Sequence, residues 1–174
     1  MYSTDGGQFK YHTNSHILRF FVFFVLFFLV SLIQIRFWHD QSYLIYIFFF
    51  LLLVGVKYFG LTSSGSTRWL NLYFMNLQPS ELMKVGLILF LAKYYHRLSI
   101  ENMNSARYLF IPIVVLIGPL LLVATQPDLG TSILIAAGGI AVAWLAGVRI
   151  KFFAYSSLIF LALLPIAISF LKPY

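Results

Sequence analysis

Two short motifs place an acidic residue beside a proline at the start of an apolar segment. The first helix start, Gln78–Glu81, reads QPSE and is followed by Lys84; the second, Gln126–Gly130, reads QPDLG. Proline is accepted in a first helical turn because its missing N–H has no partner there. The helix dipole favours a carboxylate in the same turn. The chain has only five Asp and Glu residues, so two of them at matching helix starts indicate a polar site.

The residue types at these helix starts could bind an anion. Glu81 and Lys84 are three residues apart, share a helix face and can pair. Arg68, which precedes the first helix start, carries a guanidinium suited to bidentate phosphate binding. An alternative stays open, in which Glu81 and Lys84 are a capping pair at an ordinary interface, Asp128 is a simple N-terminal acid and Arg68 contacts a lipid headgroup. The repeat of the motif at Asp128 favours function, since ionisable residues within membrane segments are usually functional.

Composition identifies the class of protein. The 174 residues are 61% hydrophobic, 19% aromatic and 10% charged, with a mean hydropathy of +0.89. A soluble domain of this size could not bury so much apolar surface, so we expect an integral membrane protein. The net charge of +7 does not indicate nucleic-acid binding, because the basic residues are scattered between apolar runs. The absence of cysteine excludes disulfides, thiolate metal sites and a cysteine nucleophile.

Six apolar segments predict an all-α polytopic fold with about six transmembrane helices. Each approaches the roughly 20 residues that a membrane helix needs, and none shows the alternation of a membrane β-barrel. The predicted spans are residues 17–35, 43–61, 77–98, 108–126, 129–148 and 152–171. Prolines 112, 119 and 165 predict kinks in the fourth and sixth spans.

The connections complete the predicted topology. Residues 62–76 are too polar to span, and we expect a surface loop leading into an interfacial segment anchored by Trp69 and Tyr73. Counting spans places both helix starts on one membrane face. The opposite face collects Arg36, Lys93, Arg97, Arg107, Arg149 and Lys151. Because Lys and Arg are enriched on the cytoplasmic side of membrane proteins, this distribution weakly favours a topology in which both helix starts face outward.

Other chemistry-bearing residues predict no further site. The four histidines, His12, His16, His39 and His96, lack metal-ligand spacing and are expected to be solvated or interfacial. Gly138 and Gly139, with alanines nearby, are typical of a close helix-packing face. No metal site and no Ser-His-Asp motif is predicted.

The longer stretches around the helix starts resemble a known family. GSTRWLNLYFMNLQPSELMKVGLILFLAKYYHR, followed by ATQPDLGTSILIAAGGIAVAWLAGV, is similar to the SEDS family (RodA, FtsW and SpoVE). QPDLGT and its surroundings look most like the RodA members. The resemblance implies a multi-pass peptidoglycan glycosyltransferase of the bacterial cytoplasmic (inner) membrane, which polymerises lipid II during cell wall elongation. The implied partners are lipid II, a class B penicillin-binding protein, other elongation-complex proteins and membrane lipid, with no nucleic acid.

The resemblance also implies roles for the residues at the helix starts. They would line a polar cavity near the outer face and organise it or contact the lipid-linked pyrophosphate. No cofactor is predicted, although a divalent cation is left open. The substrate-binding or cavity-organising residues are Arg68, Gln78, Glu81, Lys84, Gln126 and Asp128.

The chain departs from the family pattern in two respects. Tyr73 stands where the family usually has glycine. Residues 1–174 resemble the second to seventh of about ten family helices, as one partial membrane domain without the first helix and the C-terminal part. The family's proposed catalytic aspartate lies beyond that region, and glycosyl transfer needs a base near the acceptor hydroxyl. We therefore expect no catalytic residue here and no activity from the chain alone.

Two other functions remain open from sequence. In a precursor flippase or ion-coupled transporter, Glu81, Lys84 and Asp128 would form a substrate path at broken helix ends. Transport abolished by Glu81→Gln would favour that function. Alternatively, the chain is a non-catalytic remnant of a split gene. Downstream DNA that encodes the remaining helices would favour a split transferase over such a remnant.

Overall fold

The helices of the chain follow the predicted order. The computed structural model describes residues 11–63, 66–71, 76–99, 101–126 and 128–155, and it divides into two compact units, residues 1–40 and 41–174. Residues 150–155 are also helical, and the rest of the sixth predicted span lies outside the described residues. The helices are α1 (Tyr11–Ser31), α2 (Ile35–Phe59), α3 (Pro79–His96), α4 (Ala106–Ala124) and α5 (Leu129–Leu145). The all-α prediction is confirmed, while the expectation of a single domain stays a prediction.

The turn between the first two helices is shorter than predicted. Residues 36–42 were expected to connect two spans, but α2 already begins at Ile35 and the turn is confined to residues 32–34. The sequence RFWHDQS is polar without being helix-breaking, since it contains neither glycine nor proline. The polar residues in this stretch therefore did not mark the end of a helix.

The connection between α2 and α3 contains a small antiparallel sheet where the sequence predicted a surface loop leading into an interfacial segment, so the loop part of that prediction is wrong. Its strands are β1 (Leu61–Ser63), β2 (Ser66–Asn71) and β3 (Asn76–Leu77), in the order β1-β2-β3. β2 contains Thr67 and Trp69, residue types that are enriched in strands. β3 pairs with β2 through Leu70↔Leu77 and leads directly into α3, which fixes β2 beside the start of that helix. Tyr73 lies outside the described residues.

Helix α3 forms the centre of the unit that comprises residues 41–174. Met83, Leu87, Leu91 and Tyr95 repeat every four residues and are buried, as expected for one packed helix face. They share a hydrophobic core with side chains of α2, α4 and α5. Within the described residues, two helical stretches are long and apolar enough to cross a membrane, Ile35–Phe59 and Arg107–Ala124, and shorter apolar helices cover His16–Ser31 and Leu129–Leu145.

Helix α4 is continuous through both of its prolines. Proline has no N–H, so Pro112 and Pro119 leave the carbonyls four residues earlier without their helical donors. Tyrosine hydroxyls from neighbouring helices replace both donors. The Tyr46 hydroxyl donates to the Val115 carbonyl at 2.7 Å, and the Tyr94 hydroxyl donates to the Tyr108 carbonyl at 2.7 Å. The prolines thus tie α4 to α2 and α3.

Glycines allow close approach between helices. A Cβ at Gly139 would lie 2.7 Å from Leu116 Cδ1 of α4, and one at Gly138 would lie 3.7 Å from Ile88 Cδ1 of α3. A Cβ at Gly86 would lie 2.9 Å from Phe49 Cδ2 of α2. The predicted packing face at Gly138 and Gly139 is confirmed, and Gly86 provides a second such contact.

Candidate functional site

The second helix start is built on the Asp128 carboxylate. Asp128 is the N-cap of α5, and its Oδ1 accepts a hydrogen bond from the Thr131 backbone N–H at 3.1 Å. Its Oδ2 accepts from the Thr131 hydroxyl at 2.9 Å. An N-cap acid satisfies an amide that the helix itself leaves unpaired and lies at the positive end of the dipole. Asp128 therefore lies just before the first turn of α5, and not within that turn as the sequence predicted.

Arg68 reaches the second helix start from strand β2. Its Nη1 lies 3.5 Å from Asp128 Oδ2, and its Nε donates to the Gln126 backbone carbonyl at 3.0 Å. The Arg68 side chain is 29% exposed and that of Asp128 is 13% exposed. The guanidinium is therefore held by two contacts on the same short segment while part of it remains accessible.

Gln78 connects the two helix starts. It is the N-cap residue of α3, but its side chain makes no capping hydrogen bond there. Instead its Nε2 donates to Asp128 Oδ2 at 3.2 Å. Three side chains, Arg68, Gln78 and Thr131, thus converge on one carboxylate oxygen. This contact confirms that the two helix starts lie on one side of the bundle, as the count of spans predicted.

Glu81 and Lys84 form a second ion pair within the first turns of α3. Lys84 Nζ lies 2.8 Å from Glu81 Oε2, with the lysine side chain 23% and the glutamate side chain 54% exposed. The predicted pairing across three residues is confirmed. Because both groups are accessible, an incoming anion could compete with Glu81 for the ammonium group.

Gln126 contributes to the site through its backbone. The residue is buried, and its carbonyl is the acceptor for Arg68. The structure places all six predicted residues in the unit that comprises residues 41–174. It joins Arg68, Gln78, Gln126 and Asp128 in one network, with Glu81 and Lys84 paired separately. The roles of these residues in substrate binding remain predictions.

Two polar residues were missed by sequence reasoning. Thr131 lies three residues after Asp128, and this N-cap spacing was a usable signal. Ser80 lies between Pro79 and Glu81, and its Oγ is buried with no hydrogen-bond partner in the part of the chain that the structure describes. No sequence signal distinguishes that serine from an ordinary first-turn residue.

The site is more favourable to an anion than the summed formal charge of its side chains suggests. Two cations, Arg68 and Lys84, are balanced by Asp128 and Glu81, so the four side chains sum to zero. The N-termini of α3 and α5 add partial positive charge at the same place. Across the described ranges no group of three or more His, Asp or Glu residues could hold a metal ion. The Arg68 guanidinium and the Lys84 ammonium are the kinds of group that bind phosphate oxygens.

Comparison with known proteins identifies relatives along nearly the whole chain. The FtsW/RodA/SpoVE family of cell cycle proteins matches residues 2–174. The probable peptidoglycan glycosyltransferase FtsW of Buchnera aphidicola subsp. Schizaphis graminum is 32% identical over 173 residues, which cover 97% of this chain and 49% of that protein. The peptidoglycan glycosyltransferase MrdB of Escherichia coli K12 is 38% identical over 131 residues, covering 73% and 34%.

Solved structures agree with this assignment. A peptidoglycan synthase complex that coordinates polymerization and crosslinking matches with a TM-score of 0.76 and 27% identity, over 93% of this chain and 48% of that chain. The rod shape determining protein RodA of Thermus thermophilus matches with a TM-score of 0.64 and 29% identity, over 78% and 46%. The chain spans about half the length, or less, of the relatives it matches.

Proposed function

Since the chain belongs to the FtsW/RodA/SpoVE family of cell cycle proteins, we propose that it forms part of a peptidoglycan glycosyltransferase that polymerises lipid II. The observation that carries the proposal is the network in which Arg68, Gln78 and Thr131 converge on Asp128 beside the Glu81–Lys84 pair. It places two accessible cations at two helix N-termini, which suits a pyrophosphate group.

The side chains divide into anion contacts and supports. Arg68 and Lys84 contact the pyrophosphate oxygens of the lipid-linked substrate. Asp128 and Gln78 hold the guanidinium in place, Glu81 holds the ammonium, and Gln126 supplies the carbonyl that orients Arg68. In this role the two cations neutralise the negative charge of the pyrophosphate, as a divalent metal ion would otherwise do, so we propose no cofactor.

The general base of glycosyl transfer is not among these residues. A base must lie within hydrogen-bond reach of the acceptor hydroxyl, and Asp128 already accepts from three side chains. We propose that the base belongs to a region of the family beyond the segment matched here, and that activity requires it. Residues 2–174 then supply the substrate contacts and not the proton transfer.

The proposed cellular location and partners rest on the same family membership. We propose a multi-pass protein of the bacterial cytoplasmic membrane, with the helix starts facing outward. It works in cell wall elongation with a class B penicillin-binding protein and other elongation proteins. The peptidoglycan synthase complex matched above supports such a partner. The QPDLGT motif favours a RodA-type role over an FtsW-type role, although both kinds of relative match.

Binding of lipid II tests this proposal without requiring catalysis. The purified chain in nanodiscs should bind lipid II, and Arg68→Gln and Lys84→Gln should each weaken the affinity roughly tenfold or more, the scale of a charge-assisted hydrogen bond. Lys57→Gln removes a charge from the exposed end of α2 and serves as the matched control. Equal affinity for all four proteins would remove these cations from the substrate site.

A further inference from the structure

Four exposed basic residues lie at the end of the bundle opposite the helix starts. Arg97 is the C-cap of α3, Arg107 lies in the first turn of α4, and Arg149 and Lys151 follow α5. Consecutive helices α3, α4 and α5 pack on one another and alternate in direction. The end of α3, the start of α4 and the end of α5 therefore share one face. We call these four residues the basic surface.

Within the unit that comprises residues 41–174, basic residues outnumber acids at this end of the bundle. Within residues 41–174 the sequence contains three acids, Glu81, Glu101 and Asp128, and Glu81 and Asp128 belong to the helix starts at the opposite end. Glu101 is exposed, as are all four members of the basic surface. Like charges held at one face raise the local positive potential and attract anions.

Exposed apolar side chains adjoin the basic surface. Phe110 is 66%, Leu145 78% and Ile150 72% exposed, and each lies within a few residues of one of its members. In a membrane helix such side chains contact acyl chains, which places the neighbouring cations at the level of the lipid headgroups.

The Tyr43 ring contacts basic side chains at the edge of the basic surface. The Arg97 guanidinium lies 5.7 Å from the centre of the Tyr43 ring, and Lys93 Nζ lies 4.6 Å from the same centre. Cation–π contacts of this kind restrict a flexible side chain. Tyrosine is typical of the membrane–water interface, where its ring meets apolar groups and its hydroxyl meets water.

We propose that the basic surface binds the headgroups of anionic phospholipids. The bound group is a lipid phosphate whose charge is not neutralised by its own headgroup, such as that of phosphatidylglycerol. This inference is independent of lipid II polymerisation, because it concerns the opposite membrane face and other residues. Its consequence is that anionic lipid gathers around this end of the helices.

Lipid selectivity in reconstituted protein tests the proposal. The full chain is placed in nanodiscs of phosphatidylcholine, and association of labelled phosphatidylglycerol is compared with that of labelled phosphatidylcholine. Each basic residue near an anionic surface contributes roughly fivefold at low salt. We expect clear selectivity for phosphatidylglycerol in the unaltered chain and its loss in a variant with glutamine at all four positions. The charge-retaining variant Arg97→Lys/Arg107→Lys/Arg149→Lys should keep the selectivity, and Lys57→Gln is the control at the other end.

Two measurements keep the test decisive. If the fourfold variant does not fold, Arg107→Gln alone should still lower the selectivity, and 0.5 M salt should lower that of the unaltered chain, because screening weakens exposed charges. Phosphatidylglycerol selectivity that survives both the substitution and the salt would overturn the proposal. So would an equal loss in Lys57→Gln.

Discussion

Arg68 Nη1 lies 3.5 Å from Asp128 Oδ2 and joins a β-strand to the N-cap of a helix 60 residues further along the chain. The same carboxylate caps α5 through the Thr131 N–H. Asp128 therefore has two separable tasks, one electrostatic and one local to the helix. Removing its charge and removing its capping oxygen should have different consequences.

Substitution of Asp128 can separate these tasks. Asp128→Asn keeps a strong N-cap residue but removes the negative charge that pairs with Arg68, whereas Asp128→Ala removes both the cap and the charge. We expect Asp128→Ala to lower the free energy of unfolding by about 1 kcal/mol more than Asp128→Asn, the usual contribution of an N-cap. Thermal or denaturant unfolding in detergent measures the difference. Equal losses for the two variants would show that capping is not a task of Asp128.

The Tyr46 hydroxyl should stabilise α4 only because Pro119 is present. Tyr46→Phe leaves the Val115 carbonyl without a donor and should lower the free energy of unfolding by about 1–3 kcal/mol. In a Pro119→Ala background, the new N–H can donate to that carbonyl, so the same substitution should have a smaller effect. Unfolding measurements on the double-mutant cycle give the coupling.

Tyr95→Phe is the matched control for this cycle. Tyr95 is buried on α3, and its hydroxyl makes no hydrogen bond to any other described residue. Its loss should have an effect that does not depend on Pro119. An equal coupling of Tyr46 and Tyr95 to Pro119 would contradict the replacement of a missing helical donor by a tyrosine.

Helix packing at Gly86 should not tolerate a larger side chain. Gly86→Val forces Phe49 to move, because a Cβ there would lie 2.9 Å from its Cδ2, and should lower the free energy of unfolding by about 1–3 kcal/mol. Gly55→Val makes the same chemical change where nothing lies within 4 Å. That control should be neutral or stabilising. Comparison of the two unfolding curves checks the prediction.

The Glu81–Lys84 pair should matter more for binding than for folding. Glu81 is half exposed, and exposed ion pairs contribute about 0–1 kcal/mol. Lys84→Gln should therefore leave thermal unfolding nearly unchanged while weakening lipid II binding, and Lys84→Arg should keep most of the affinity. A large loss of stability in Lys84→Gln would instead identify the pair as structural.

The sequence predicted contacts between residues close in the chain better than contacts between residues far apart in it. The pairing of Glu81 with Lys84 followed from their spacing on one helix, and the packing role of Gly138 and Gly139 followed from their size. The partner of Arg68 depended on how strands β2 and β3 return the chain to α3. No helical periodicity encodes that path, and the polar sequence of the connection indicated a loop.

The same contrast applies to the prolines of α4. Tyrosines on two other helices satisfy the carbonyls that the prolines leave without donors, and the helix is continuous, while the kinks that the prolines predicted stay a prediction. The sequence contains eleven tyrosines, and nothing local identifies which of them lie opposite Val115 and Tyr108. Such pairings depend on tertiary packing.

We have proposed that Arg68, held by Asp128, contacts the substrate of a lipid II polymerase. The most direct test is a chimera in which this chain replaces the matched segment of Escherichia coli MrdB, assayed for glycan strands formed from purified lipid II. We predict polymerisation by the chimera, a loss of roughly tenfold or more with Arg68→Gln, and no loss with Lys57→Gln. A chimera that folds and polymerises equally well with Arg68→Gln would contradict the claim.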